Sequence, residues 1–506
     1  MSYTWEELNQ QTIDYLNEDN YEKALEAAEQ AADIARSAGN KAQLALSLSN
    51  VGGLCQAMGD PITAEKAMRE AASLCQELYG PDHPETAAAQ TSLAYLYTAL
   101  TRWPEAEVLF RQALAVQEKA NASAVDDLVQ LLFGLAECAD AQGRGGEAAK
   151  HLERALSLLE TGEPDPDAGP ILSRLAQLRQ KEGKAEEAGK LLRKALKLYE
   201  NTIGPEHPIF ANTLSELAEN YIARGMGQPA ETLLEQAVSL LKDLLSPGDP
   251  EIGDKLKKLA ELYLQTGQFE KAEPHLKEAL DIFQKALGED HPDTAQVRND
   301  LGEYYFSQGK TDEAKKLYEA ALTAREAALG PDHPAVAQSL NDLGVLLGGA
   351  EQYADAESLH RRALAIRRER FGPRHLVVTQ SLENLAVCCR GLDKFDEAEE
   401  LLTEAAAIWE ENFGPDHPST AQAYYDLGSF LFERQKYGPS EQALQRAREA
   451  LVKLYGKDDP QLAQVYNALS IVTEKLGHIT ESREYAARCL RIYQQELAKQ
   501  EQDSKK

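Results

Sequence analysis

Leu329 to Gln338 reads LGPDHPAVAQ, and variants of this phrase return along almost the whole chain. The proline of its His-Pro or Asp-Pro pair falls at Pro208, Pro250, Pro292, Pro334, Pro418 and Pro460, a spacing of 42 residues with one copy skipped. At the skipped place, Gly372-Pro373-Arg374-His375 is followed by Leu376 instead of proline. Pro84 and Pro166 continue the series upstream, shortened by a small deletion. A fixed period of this length marks a repeat array, in which each unit packs only against its neighbours.

Composition agrees with that reading. At 506 residues the chain exceeds what one hydrophobic core ordinarily serves, yet no Pro/Gly/Ser-rich linker divides it. Aromatic residues are 7% of the chain, and Ala and Leu dominate the apolar positions, which favours closely packed helices over sheets. A net charge of −30 argues against nucleic acid and anionic membranes as partners and suits a basic one. The start, MSYTWEELNQQ, has neither a basic head nor an apolar stretch, and no window nears the ~18 apolar residues of a membrane span. A cytoplasmic location is therefore expected. Cys55, Cys75, Cys138, Cys388, Cys389 and Cys489 form no CxxC pair and fall on apolar helix faces, as small packing residues do.

Each repeat reads as two helices. After Pro334, apolar residues at Val336, Leu340, Leu343, Leu346 and Leu347 keep helical spacing. A second helix then places Tyr353, Ala356, Leu359, Ala363, Leu364 and Ile366 on one face, and Gly372 ends it. Proline suits the first helical position, and the Asp or His before it can cap the new helix. In the first helix a large apolar residue precedes a small one, as at Leu93-Ala94, Leu259-Ala260, Leu301-Gly302, Leu343-Gly344 and Leu427-Gly428. Tyrosine follows at Tyr97, Tyr221, Tyr263 and Tyr305. The second helix carries small residues seven apart, such as Ala106 with Ala113, Ala272 with Ala279, Ala314 with Ala321 and Ala398 with Ala405. Small residues at fixed places let helices approach closely.

This pattern resembles the tetratricopeptide repeat (TPR), in the variety found in kinesin light chains, although here Trp5 to Ser37 already reads as a hairpin where those proteins carry a coiled coil. The resemblance implies an all-α fold: a right-handed α-solenoid, or superhelix, of about twelve hairpins. They start near residues 4, 40, 84, 123, 166, 208, 250, 292, 334, 376, 418 and 460, and form one array over 1–496 with a charged, disordered tail over 497–506.

No catalytic constellation is present in the sequence. His83, His207, His291, His333, His375 and His417 recur at equivalent places in the phrase, too far apart in a stacked array for shared metal ligation, so capping explains them best. No HExxH, GxSxG or Gly-rich phosphate loop occurs. Neither an enzyme, a cofactor nor a metal is expected.

What remains is a surface. The resemblance implies a concave groove lined by the first helices, facing which are the residues two before and two after the repeated leucine. The first set includes Ser215, Lys257, Asn299, Asn341, Glu383, Tyr425 and Asn467; the second includes Glu137, Gln177, Glu219, Glu261, Glu303, Val345, Val387 and Ile471. Glu137, Glu219, Glu261 and Glu303 would form an acidic stripe, a seat for a Lys/Arg-bearing segment or simply a solvated face. Two carboxylates ~10 Å apart in water repel by only ~0.4 kcal/mol. Asn299 and Asn341 resemble asparagines that hold an extended peptide backbone in kinesin light chains, and an amide both donates and accepts. A chaperone-type clamp is not expected, because Lys257 is followed by Glu261. The run Arg361, Arg362, Arg367, Arg368, Arg370 and Arg374 reads as solvated surface, with a local acidic contact or self-association as the alternative. Two functions follow: a scaffold whose groove binds a peptide or helix of a partner protein, or a sensor subunit whose superhelix changes on binding a small ligand or short peptide.

Overall fold

The computed structural model describes residues 3–119, 125–159 and 164–503, with side chains described through Leu497. Among these residues there are only helices, paired as hairpins, in two compact units, Met1–Leu245 and Ser246–Lys506. The first unit holds α1 (Trp5–Asn17) with α2 (Tyr21–Ser37), α3 (Lys41–Ala57) with α4 (Pro61–Tyr79), and α5 (Pro84–Ala99) with α6 (Trp103–Lys119). It continues with α7 (Val125–Ala141) and α8 (Gly145–Leu159), α9 (Ala168–Lys181) and α10 (Ala185–Thr202), then α11 (Pro208–Ala223) and α12 (Gly227–Leu244). The second unit holds α13 (Pro250–Gln265) with α14 (Phe269–Leu287), α15 (Pro292–Ser307) with α16 (Thr311–Leu329), and α17 (Pro334–Gly349) with α18 (Tyr353–Phe371). It ends with α19 (Val377–Gly391) and α20 (Phe395–Phe413), α21 (Pro418–Glu433) and α22 (Tyr437–Tyr455), then α23 (Leu462–Lys475) and α24 (Ile479–Asp503).

Where the sequence suggests one array over 1–496, the structure has two units of six hairpins each. The hairpin start expected near 123 falls outside the described residues. The disordered tail expected from residue 497 gives way to helix through Asp503, because α24 continues without a breaker; residues 504–506 lie outside the described residues.

The phrase works as helix punctuation. Gly330 takes φ +84°, a left-handed conformation that ends α16, and its N–H donates to the Glu326 carbonyl at 3.1 Å. His333 then accepts the Ala335 N–H on Nδ1 at 3.1 Å, and Pro334 opens α17 without forfeiting a bonded N–H. His83, His207, His291, His375 and His417 cap their helices in the same way. The aromatic residue before the glycine stacks on the capping ring, with centroids 4.2 Å apart for Phe413 and His417 and 4.7 Å for Tyr79 and His83.

Small residues set how closely the helices approach. Ala106, Ala113, Ala272, Ala279, Ala314, Ala321, Ala398 and Ala405 are all buried. A Cβ on Gly344 would lie 2.7 Å from the His360 ring, so α17 and α18 are closer there than alanine permits. Tyr97 and Tyr263 fill the core as the spacing predicts, whereas Tyr305 is only half-buried and its neighbour Tyr304 takes the interior place. All six cysteines are buried with free thiols.

The arginine run is only in part the solvated surface read from the sequence: Arg361, Arg370 and Arg374 are exposed. Arg367 is 4% exposed and donates to Ser381 Oγ at 2.8 Å and Gln338 Oε1 at 3.0 Å, tying α18 to α19 and α17. Arg325 does the same one repeat earlier, reaching Ser339 Oγ, the Ala335 carbonyl and Gln296 Oε1. Arg361 pairs with Glu357 and Glu397, Arg362 with Glu326, and Arg368 with Glu404. Arg361, Arg362, Arg367 and Arg368 are inter-repeat ties, three of them local acidic contacts, while Arg370 stays on the outer surface.

Removing Arg367 strands buried acceptors, each worth about 1–3 kcal/mol when left unpaired. Arg367→Ala should therefore destabilise the second unit by about 2–4 kcal/mol in urea unfolding, whereas Arg370→Ala, on the outer surface, should stay within about 0.5 kcal/mol.

Candidate functional site

Residues two before and two after the repeated leucine lie one turn apart on the same side of each first helix, because four residues return nearly to the same face. Their surroundings differ. The earlier position faces the next first helix. Asn299 and Asn341 are 6% and 2% exposed, and Ser215 is equally covered. Asn299 Nδ2 donates to Asp342 Oδ2 at 2.7 Å, and Asn341 Oδ1 accepts from Asn384 Nδ2 at 2.9 Å. These amides join neighbouring repeats, and that replaces the expectation that they stand open to a peptide backbone. Glu383 is half-buried and accepts from Trp409 Nε1 at 3.0 Å. Lys257 is half-buried 3.9 Å from Asp254. Asn467 is exposed and Tyr425 half-buried.

The later position projects outward. Gln177, Glu219, Glu303, Val345, Val387 and Ile471 are exposed, while Glu137 and Glu261 are half-buried. Several of these residues line clefts between consecutive first helices. In the first unit a cavity of about 330 Å³ lies between α9 and α11, with Gln177, Gln180, Glu216, Glu219 and Asn220 on its walls. In the second unit a cavity of about 240 Å³ lies between α13 and α15, with Glu261, Leu264, Asp300, Glu303 and Tyr304. These residues correspond one to one, two repeats apart, so the same cleft occurs in both units. It opens again between α21 and α23 with about 560 Å³, lined by Tyr425, Ser429, Phe432, Asn467, Ala468 and Ile471. Acids occupy the second occurrence and apolar groups the third.

The residue directly before the repeated leucine, passed over in the sequence reading, turns out to matter. Asp300, Asp342 and Asp426 share this place, and Asn384 and Glu216 take it in other repeats. Its recurrence was the available signal. Burial pushes Asp300 up to about 7, and the Glu261 charge adds to the rise. Burial also raises Asp342, against hydrogen bonds from Asn299 and Gln338, and raises Asp426. Glu303 rises through burial and the nearby Asp342, Glu383 through burial and the Asp426 charge against the hydrogen bond from Trp409, and Glu137 through burial. At neutral pH Asp300 is therefore partly protonated.

Away from this face, Glu357, Cys389 and Glu397 bring three donor atoms within 4.8 Å. Lys394 and Arg361 already engage Glu357 at 2.7 and 2.6 Å, and burial pushes the Cys389 thiol up to about 11, away from the thiolate a metal binds.

The sequence profile of the tetratricopeptide repeat family matches residues 43–119, 167–243, 251–327, 301–369, 377–451 and 423–495. The chain belongs to that family. Among solved structures it is similar to a Podospora anserina kinesin light chain-type protein of nearly identical TPR-like repeats, at 28% identity over 41% of this chain and 98% of that one, with a TM-score of 0.37. BtubC (BKLC) of P. vanneervenii is 25% identical over 45% of this chain and 89% of that one, with a TM-score of 0.39. The apo form of RapI is 15% identical over 56% and 97%, with a TM-score of 0.42. No curated protein sequence matches the chain.

The raised carboxyl of Asp300 sets the sign of a pH effect. Facing it are Lys257 and Glu261 from α13, Gln296 and Glu303 from α15, and Tyr318 and Arg325 from α16. Between an unfolded value of 3.8 and a folded value of about 7, the folded chain holds a proton the unfolded chain has lost. Its contribution is fully present below the lower value and fades as pH rises towards 7. Asp300→Asn should remove a slope of up to about 1.4 kcal/mol per pH unit, read as the difference from wild type in urea unfolding across that range.

Proposed function

We propose that this protein is a non-catalytic scaffold that holds a peptide or helix of a partner protein against the exposed face of its first helices. The supporting observation is the recurrence of one cleft between consecutive first helices, in the same register in both units, with Gln177 and Glu219 at one occurrence and Glu261 and Glu303 at another. A cleft that keeps its place while its side chains change is what peptide recognition by a repeat array requires. The carboxylates on this face favour a partner segment bearing Lys or Arg, and the net charge of −30 disfavours nucleic acid and anionic membranes. No helix among the described residues is long and apolar enough to cross a membrane, and we place the protein in the cytoplasm.

The tagged chain should retain specific proteins from lysate, identified by mass spectrometry, with retention falling as salt rises. Reversing Glu219, Glu261 and Glu303 to lysine should abolish that retention while leaving the helical circular dichroism intact. Retention unchanged by the reversal would remove the acidic face from this reading. Compaction in small-angle scattering on adding a small metabolite, with no protein retained, would favour the sensor.

A further inference from the structure

One wall of the cleft between α13 and α15 carries a buried carboxyl with an unpaired oxygen. Asp300 is 8% exposed; its Oδ1 accepts from Gln296 Nε2 at 2.7 Å, while Oδ2 has no hydrogen-bond partner. Buried polar atoms are nearly always paired, so an orphan on a cavity wall points to a group supplied from outside. Glu303 lines the same cavity and forms no ion pair among the described residues. The cations nearby are committed elsewhere. Arg325 spends its guanidinium on Ser339, Ala335 and Gln296, and Lys257 lies by Asp254 without pairing to Asp300. Phe269 and Leu264 form an apolar wall beside the acids.

The fold does not require acids at this place. Four hairpins further on, the equivalent cleft carries Ser429, Ala468 and Ile471 where this one has Glu261, Asp300 and Glu303, and both helix pairs pack normally. The acids therefore need an explanation other than helix packing.

We infer that this cleft seats one alkyl-ammonium or guanidinium group, carried by a lysine or arginine side chain of the segment held on the first-helix face. The inference rests on reading that face as a partner surface. The cation's N–H groups satisfy Asp300 Oδ2 and Glu303, while its methylenes lie along Leu264 and Phe269. Entry of a cation displaces the proton that Asp300 holds, so binding strengthens as pH rises from 6 to 8. Lys257, Glu261, Glu303, Tyr318 and Arg325 are the other titratable groups facing Asp300.

The test is calorimetric titration of the full chain with N-acetyl-arginine methylamide, N-acetyl-lysine methylamide and, separately, spermidine. The side-chain mimics should bind at one site, more tightly at pH 8 than at pH 6. Asp300→Asn with Glu303→Gln should weaken them at least tenfold, and Arg370→Ala, on the outer surface, should leave them unchanged. If the double variant does not fold, Ser307→Lys, which plants an ammonium at the cavity wall, must block the mimics instead. Mimic binding that survives these variants overturns the inference, as does binding of spermidine alone. Absence of mimic binding with partner retention intact sinks the cation seat and spares the scaffold; loss of all partner retention by the native chain sinks the scaffold reading itself.

Discussion

A helical hairpin of this kind cannot bury its own apolar surface. Two amphipathic helices leave an uncovered side, and only the next hairpin can cover it, so register between repeats is the constraint on which everything else depends. The chain enforces that register with close approaches that admit no substitute. Gly344 lies under the ring of His360, and Ala314, Ala321, Ala356 and Ala363 allow the helices to meet. A histidine cap fixes where six of the first helices begin, and at His83, His375 and His417 an aromatic ring from the end of the previous helix stacks on it. Arg325 and Arg367 then carry hydrogen bonds from one repeat into the next.

That register also decides how charges are disposed between first helices. A residue two before the leucine meets the residue one before the leucine of the next repeat, 43 positions on. Amide against carboxylate, as in Asn299 with Asp342, makes a hydrogen bond from Asn299 Nδ2, although Asn299 Oδ1 stays unpaired. Carboxylate against carboxylate, as in Glu383 with Asp426, leaves two raised groups that oppose each other's charge. Repulsion that would be ~0.4 kcal/mol across 10 Å of water is larger where water is excluded. An acidic face in such an array is therefore not a uniform strip of negative charge, since each carboxyl carries the charge its neighbour permits.

Most of the fold was legible in the sequence because period and punctuation are local properties. A proline every 42 residues, a glycine before it and a small residue after each leucine are visible without coordinates, and the hairpin starts follow from them. The division between Leu245 and Ser246 was not, since the phrase runs across it undisturbed. That Gln177, Glu219, Glu261 and Glu303 stand at one register position was legible, and the structure lines clefts with them. Asn299 and Asn341 were misjudged because exposure there depends on the neighbouring repeat, which no single repeat encodes. Asp300 was missed for the converse reason: next to the leucine it looks like an ordinary polar residue, and only packing shows it buried without a partner for Oδ2.

Register and recognition are separable in this architecture, and the second unit displays the separation. Its cleft between α13 and α15 and its cleft between α21 and α23 occupy the same place in the repeat, built on the same backbone pattern. One presents carboxyls; the other presents Tyr425, Phe432 and Ile471. Between them the outward position carries Val345 and Val387. A segment lying along this face would meet acid at one end and apolar surface at the other, so it could bind well in only one direction. Asp300 and Ile471 could be changed without touching the glycines, alanines and capping histidines that hold the register. Such an array can therefore change partner while the buried pattern that folds it stays constant.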